Sequence, residues 1–183
     1  MSKILFIKKK IKSFNKTILV SGDKSLSIRW IILASQAIGK SKAYNLLMSE
    51  DVLAALDSIK KLGIKLNVRK KYCEILGNGI NGFKYKKNLT INARNSGTFG
   101  RLILGLLIKS PHKIRLIGDK SLSKRDFSRI TKPLEKFGAK FYYKKKYTLP
   151  LSILGTQAAK GIKYLEDKGS AQCKSSVMLA ALN

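Results

Sequence analysis

Cysteine and histidine are nearly absent: Cys73, Cys173 and His112 are the only such residues in the 183-residue chain. Their isolation allows no zinc-ligand spacing and no disulfide framework, so reduced thiols and no metal are the expectation. Long apolar runs are missing too. The N-terminal stretch Ile4 to Ile7 is shorter than a signal-peptide core, and nothing approaches the roughly 20 residues of a membrane-crossing helix. The reading is of a soluble, cytoplasmic chain with no membrane partner. Three prolines and no Ser- or Gly-rich run leave no linker that would divide it.

Acidic residues are scarce as well. Ten Asp and Glu face 38 Lys and Arg, a formal net charge of +28. Such an excess normally suggests nucleic acid, because Lys and Arg neutralise phosphates and release counterions. Here it consists of 31 Lys and only 7 Arg, dispersed in short clusters such as Lys8 to Lys10, Lys84 to Lys87 and Lys144 to Lys146. Base reading and bidentate phosphate grips favour Arg. The dispersed lysines therefore read as a solvated surface rather than a binding stripe, and no specific nucleic-acid partner is expected. A basic nucleic-acid-binding module remains the alternative from a different class, distinguished by salt-sensitive binding that does not depend on Lys24.

What the chain has is a repeated turn. Gly-Asp-Lys-Ser-Leu-Ser occurs at Gly22 to Ser27 and again at Gly118 to Ser123, each between an expected strand and an expected helix. Asn95-Ser96-Gly97-Thr98 and Gly169-Ser170-Ala171-Gln172 have the same construction. A helix start leaves N–H groups unpaired and carries partial positive charge, so small residues there let an oxyanion approach. Basic residues accompany each turn: Lys24 and Arg29; Arg101; Lys120, Lys124 and Arg125; Lys174. Ser and Asp also serve simply as N-caps, which is the plain explanation of any one copy.

Periodicity places these turns in an alternating order. Thr17 to Val20 reads as a strand, then a helix bearing Ile28, Ile31 and Ile32 that Gly39 stops, a strand from Ala43 to Leu47, and a helix opened by Ser49-Glu50-Asp51 and ended by Gly63. Strands Ile64 to Val68 and Tyr72 to Leu76 flank the Arg69-Lys70-Lys71 turn. The order recurs with strand Leu89 to Asn92, helix Thr98 to Ile108, strand Lys113 to Ile117, helix Phe127 to Phe137, and paired strands Ala139 to Tyr143 and Leu149 to Ile153. A third round starts with strand Gly161 to Leu165 and a helix from Ala171, and stops at Asn183. The expectation is an α/β chain of βαβαββ units, truncated in the third. Phe137, Phe141, Tyr142 and Tyr143 are expected to pack the sheet, His112 to sit in an exposed loop, and Cys173 to be a small packed residue.

Five segments occur in order: Gly22-Asp23-Lys24-Ser25-Leu26-Ser27-Ile28-Arg29, Ser49-Glu50-Asp51-Val52, Asn95-Ser96-Gly97-Thr98-Phe99-Gly100-Arg101-Leu102, Gly118 to Arg125, and Gly169-Ser170-Ala171-Gln172-Cys173-Lys174-Ser175. From about Thr17 onward the chain resembles the N-terminal part of the 5-enolpyruvylshikimate-3-phosphate synthase family of enolpyruvyl transferases. The resemblance implies an inside-out α/β barrel lobe of repeated units, here residues 1–183 as an incomplete first lobe. It also implies a second such lobe, a substrate cleft between the two, no cofactor, and a monomer at full length. The implied reaction joins the enolpyruvyl group of phosphoenolpyruvate to the 5-hydroxyl of shikimate 3-phosphate and releases phosphate. A related enzyme acting on UDP-N-acetylglucosamine usually has Lys-Asn where Lys24-Ser25 stands here, and a loop cysteine that neither Cys73 nor Cys173 matches.

Carried over by position, the resemblance implies that Lys24 contacts both substrates and helps move a proton. Ser25 and Arg29 hold the shikimate moiety. Gly97 presents backbone to the phosphoenolpyruvate phosphate beside Asn95, and Arg125 pairs with that anion. Ser170, Ala171 and Gln172 line the phosphoshikimate side, with Gln172 also reaching phosphoenolpyruvate. Asp126 stands where the family commonly has proline and is expected to pair with Arg125 and weaken its grip. No acid–base carboxylate is nominated among the ten acidic residues; Asp23 and Asp51 read as helix-start groups.

Overall fold

The computed structural model describes residues 15–70 and 72–183, together with residues 4, 6, 8, 10 and 13. Parts of the Ile4 to Ile7 run, and Lys71 of the expected turn, lie outside the described residues. Helix α1 spans Lys24–Gln36 and strand β1 Ile38–Ala43. Helix α2 (Glu50–Lys61) leads to strands β2 (Lys65–Arg69) and β3 (Tyr72–Asn78). Strand β4 (Thr90–Asn92), helix α3 (Gly97–Leu106), strand β5 (Ile114–Ile117), helix α4 (Ser128–Lys136) and strands β6 (Lys140–Tyr143) and β7 (Leu151–Leu154) follow. Helix α5 covers Ala171–Ala181.

The second unit is a complete βαβαββ set whose sheet runs β4-β5-β7-β6, with β4 and β5 parallel and the other pairs antiparallel. The first unit forms the antiparallel sheet β1-β3-β2, the same order as β5-β7-β6. What it lacks is the counterpart of β4. Thr17 to Val20, expected to be that strand, is not in a strand, and its Leu19 is fully exposed. The expected strand at Ala43 to Leu47 is likewise displaced: β1 begins directly after α1, with Gly39 at φ +92° inside the strand rather than merely ending the helix. Polar Lys40, Ser41 and Lys42 concealed it, because no β1 residue is fully buried and the strand is held by its ladder to β3. Gly161 to Leu165 is irregular instead of extended.

Helix starts follow the local chemistry. The Asp23 carboxylate accepts from the Leu26 N–H at 2.7 Å, Ser96 Oγ from Phe99 and Ser170 Oγ from Cys173, each at 3.3 Å. These bonds satisfy amides that a first turn leaves free. Helix α2 has Glu50 and Asp51 in its first turn and Lys60 and Lys61 in its last, matching the helix dipole.

The second hexapeptide departs from the first. Asp119 Oδ1 accepts from Leu122 at 2.6 Å, as Asp23 does from Leu26, yet the turn closes as the short 3₁₀ segment Leu122–Lys124 and Arg125 is already extended. The carboxylate of Asp126 then takes the Ser128 N–H at 2.7 Å and its hydroxyl at 2.6 Å, opening α4. One sequence thus begins a long helix where Ile28-Arg29-Trp30 follows, and only a single turn where Lys124-Arg125-Asp126 follows.

Helix α3 carries buried Leu102, Ile103, Leu104 and Leu106 around most of its circumference, the pattern of a helix enclosed by its neighbours. It meets α5 at backbone distance: a Cβ on Gly105 would lie 2.2 Å from the Ser176 carbonyl oxygen. Ser176 Oγ donates to the Arg101 carbonyl at 3.0 Å across the same seam. The core is continuous from Ile28, Ile31 and Ile32 of α1 through Phe99 of α3 to Ile130 and Leu134 of α4. Phe137 is buried, Phe141 and Tyr143 pack against the core, and the ring of the more exposed Tyr142 takes Lys113 Nζ 3.8 Å from its centroid. His112 is half-buried, edge-on to Tyr85. Cys173 and Cys73 are both buried, and burial pushes the Cys73 thiol up to about 11.

Candidate active-site cleft

Three of the four turns singled out in the sequence line one cleft, and Arg125, just past the fourth, joins them. Its walls are Lys24 and, from the start of α2, Glu50 and Asp51; Asn95, Gly97 and Thr98 at the start of α3; Arg125 after the 3₁₀ turn; and Gln172 in the first turn of α5. The volume is about 410 Å³, within the range of small-molecule sites. Three helix N-termini open here besides that of α1, so backbone partial charge and side-chain cations reinforce each other.

Lys24 Nζ lies 2.9 Å from Asp51 Oδ2. Asp51 is thus more than a group favoured by its own helix dipole, because it holds the lysine head at the cleft. The guanidinium of Arg125 reaches Asn95 Oδ1 only at 3.5 Å, the limit of a hydrogen bond. Among the described residues no carboxylate pairs with Arg125. The expected Arg125–Asp126 pair does not form, because both Asp126 oxygens are turned to Ser128. Burial, which alone would raise the Asp126 pKa, is outweighed by those two bonds and by nearby Lys132 and Arg101, so its carboxyl is held below the usual range.

Gln172 is clamped. Its Oε1 accepts from Arg101 Nη1 at 2.7 Å and its Nε2 donates to Thr98 Oγ1 at 3.0 Å. That leaves one amide N–H for a ligand. In the sequence Arg101 is only the cation that accompanies the Asn95-Ser96-Gly97-Thr98 turn, outside the expected site. It lies four residues beyond Gly97, and helical side chains lean toward the N-terminus, which brings its head back to the cleft. Half-buried, it has its guanidinium carbon 5.4 Å from the Phe127 ring centroid. Burial and the neighbouring positive Arg125 lower its pKa. Glu50, Asp51 and Thr98 also line the cleft without having been nominated.

Gly97 sits between the two guanidinia: a Cβ there would be 3.0 Å from Arg125 Nη1 and 3.2 Å from Arg101 Nη1. Its own N–H turns back to the Asn95 carbonyl at 3.0 Å. Among the described residues, two amides of this turn, those of Asn95 and Thr98, have no protein partner, and that of Thr98 is the one within the helix start. The missing side chain therefore makes room for two cations at a helix start, while the unpartnered helix-start amide is the next one along.

The remaining nominated residues, Ser25, Arg29, Ser170 and Ala171, do not line this cleft. Arg29 donates to the Ser25 carbonyl at 3.3 Å and lines a separate apolar groove with Leu33, Ser175, Met178 and Leu182. Ser170 caps α5 and Ala171 is its first residue. Lys124 lines a separate hollow with Lys144 and Lys145. No group of His, Cys, Asp and Glu suited to a metal occurs among the described residues, nor a helix long and apolar enough to cross a membrane.

Known proteins resemble this chain in sequence and in fold. The 3-phosphoshikimate 1-carboxyvinyltransferase of Alkaliphilus oremlandii is 40% identical over 180 residues, covering 97% of this chain and 42% of that protein. The protein of the same name from Bacillus cytotoxicus is 39% identical, covering 93% of this chain and 40% of its own length. A 2.37 Å structure of EPSP synthase from Acinetobacter baumannii matches with a TM-score of 0.85 and 38% identity, over 90% of this chain and 37% of that one. The chain spans about two fifths of the length of the curated relatives it matches. The family profile of EPSP synthase (3-phosphoshikimate 1-carboxyvinyltransferase) matches residues 8–183, and on that match the chain belongs to the EPSP synthase family.

Proposed function

We propose that this chain supplies the phosphoenolpyruvate-binding wall, and part of the shikimate 3-phosphate site, of an enzyme that transfers the enolpyruvyl group to the 5-hydroxyl of shikimate 3-phosphate and releases phosphate. The observation that carries the reading is the meeting of three of the repeated turns with Arg125 in one cleft, where Arg125 has no carboxylate partner among the described residues and Arg101 stands behind Gln172. A phosphorylated carboxylate is the ligand class such a wall favours, because charge-assisted bonds from guanidinium and helix amides all act on the same anion.

In this reading Arg125 and the Thr98 amide take the phosphoenolpyruvate anion, with Asn95 and Gly97 shaping the seat. Lys24, steadied by Asp51, lies beside the reacting group and assists proton movement. Gln172 directs its remaining N–H between the two substrates, while Ser25, Arg29, Ser170 and Ala171 receive the phosphoshikimate. The general acid and base for the 5-hydroxyl belong to a second lobe in this scheme, since proton transfer needs a group in hydrogen-bond reach of the reacting oxygen. The enzyme is further proposed to be a cytoplasmic monomer.

Calorimetric titration of the 183-residue chain with shikimate 3-phosphate, for wild type and Arg29→Ala, tests the binding half. Weak binding that Arg29→Ala diminishes is expected, and identical heats would remove Arg29 from the site. Phosphate release from the two substrates should be slight for these residues alone. Full turnover by them would overturn the division of labour proposed here.

A further inference from the structure

The segment that delivers Ser170 and Gln172 to the cleft has no helix or strand of its own. From Gly161 to Gly169 it is irregular, and Leu165 is 87% exposed. One side chain in it behaves differently: Glu166 is 4% exposed. Its carboxylate accepts from Arg129 Nη2 at 2.5 Å, from the Tyr164 hydroxyl, and from the backbone N–H groups of Lys168 at 3.2 Å and Ser170 at 3.5 Å. The Tyr164 hydroxyl outweighs burial, and with Arg129 and the two amides holds this carboxyl down to about 2.

Both ends of this cluster lead to the cleft. Arg129 belongs to the first turn of α4, four residues beyond the extended Arg125. On the other side, Ser170 gives its N–H to Glu166 and uses its hydroxyl to cap Cys173, so the carboxylate is joined directly to the start of α5. Gln172 follows at once, already gripped by Arg101 and Thr98 from α3. The orientation of α5's first turn is thus set from α3 on one flank and from α4 on the other. Removing one member leaves a carboxylate or guanidinium short of partners, and the apolar contacts of Ile162 and Tyr164 with the core supply no charge to replace it.

We propose that Glu166 and Arg129, with Tyr164, form an ionic clasp that positions Ser170 and Gln172 for the phosphoshikimate side of the cleft; the role assigned to those two residues rests on the functional reading above. Glu166 and Arg129 touch no substrate in this scheme. They are positioning residues, and their loss acts on one ligand and spares the other.

The test is titration of the 183-residue chain with shikimate 3-phosphate and, separately, with inorganic phosphate as a probe of the Arg125 seat. Glu166→Gln and Arg129→Gln are each expected to weaken shikimate 3-phosphate about tenfold, the equivalent of one lost charge-assisted bond, and to leave phosphate binding within about twofold. The double variant is expected to be no worse than the stronger single one, since the two act through one contact. Arg129→Lys should restore part of the loss. Undiminished shikimate 3-phosphate binding, additive losses, or equal loss of both ligands would overturn the clasp. If Glu166→Gln does not fold, Arg129→Lys and Arg129→Gln, which alter a side chain 41% exposed, carry the comparison.

Should the wild type bind neither ligand, the reading of the cleft fails, and the clasp is then judged by amide hydrogen exchange. Exchange at Ser170 and Cys173 about tenfold faster in Arg129→Gln supports it, since loss of the anchor lowers the cost of local opening. Unchanged exchange overturns it.

Discussion

Replacing Gly97 with alanine separates affinity from stability at the cleft. The added methyl would stand 3.0 Å from Arg125 Nη1, 3.2 Å from Arg101 Nη1 and 3.7 Å from Leu122 Cδ1. The first two distances are too short for ordinary contact, so at least one guanidinium must withdraw by a few tenths of an ångström. Arg101 is half-buried and tied to Gln172 at 2.7 Å, whereas Arg125 is exposed and reaches Asn95 only at 3.5 Å. The displacement therefore falls on Arg125, the cation assigned to the phosphoenolpyruvate anion. A bond to a charged group contributes about 1.5–3 kcal/mol, so its loss weakens binding by roughly 10- to 150-fold. Folding has no reason to suffer: Gly97 is the first residue of α3, and alanine is favoured over glycine in helices by up to about 1 kcal/mol. Phosphoenolpyruvate titration followed by NMR, beside a thermal melt, reads both quantities. Unchanged affinity would refute the steric argument, and an affinity loss accompanied by a clearly lower Tm would show that the helix, not the arginine, had been disturbed.

Gly105→Ala is expected to do the opposite, since its methyl would meet the Ser176 carbonyl oxygen at 2.2 Å between α3 and α5; a loss of about 2 kcal/mol should appear as a Tm lower by roughly 4–8 °C. Arg101→Leu should weaken shikimate 3-phosphate and phosphoenolpyruvate together in parallel titrations, because Gln172 Oε1 loses its 2.7 Å donor. The carboxyl of Glu166, held near 2 by Tyr164 and then Arg129, contributes stability that is present above the unfolded carboxylate value of about 4.3 and lost as pH falls through the folded one; Glu166→Gln should flatten the acid limb of an unfolding curve between about pH 4 and 2. The Cys73 thiol, fully buried and raised to about 11, should resist a thiol reagent at pH 8 until denaturant is added, and rapid native labelling would contradict its burial.

The parts of the fold that were legible in the sequence are those where one residue type has one local job. Asp23, Ser96 and Ser170 cap the helices they precede, and Gly63 at φ +87° ends α2. What periodicity could not show were elements defined by pairing. Strand β1 is polar and only half-covered, so its ladder to β3 decides it, while Thr17 to Val20 has strand composition but no ladder among the described residues. At the cleft, the nominated Lys24, Asn95, Gly97, Arg125 and Gln172 share one set of walls, since each lies in a turn recognisable by its own letters. Arg101 and Asp51 escaped because their importance is relational. Arg101 matters through Gln172, 71 positions away, and Asp51 through Lys24 on another helix.

Asp126 offers the sharpest contest between sequence and geometry. Beside Arg125 in the chain, it reads as a counter-charge that would blunt the anion seat. In space its two oxygens hold Ser128 at 2.7 and 2.6 Å and start α4, leaving Arg125 with no carboxylate partner among the described residues. Asp126→Asn decides between these views, because the amide keeps an acceptor for the Ser128 N–H while deleting the charge. If Asp126 restrained Arg125, phosphate affinity would rise severalfold in the variant. Because the carboxylate is engaged elsewhere and exposed charges interact weakly across solvent, the expected change is less than about threefold. Asp126→Ala removes the acceptor as well and should cost about 1 kcal/mol of stability, the usual loss at a helix start, again with little change in phosphate binding. A rise in affinity of tenfold in either variant would restore the counter-charge reading and place Arg125's positive field under the control of its neighbour.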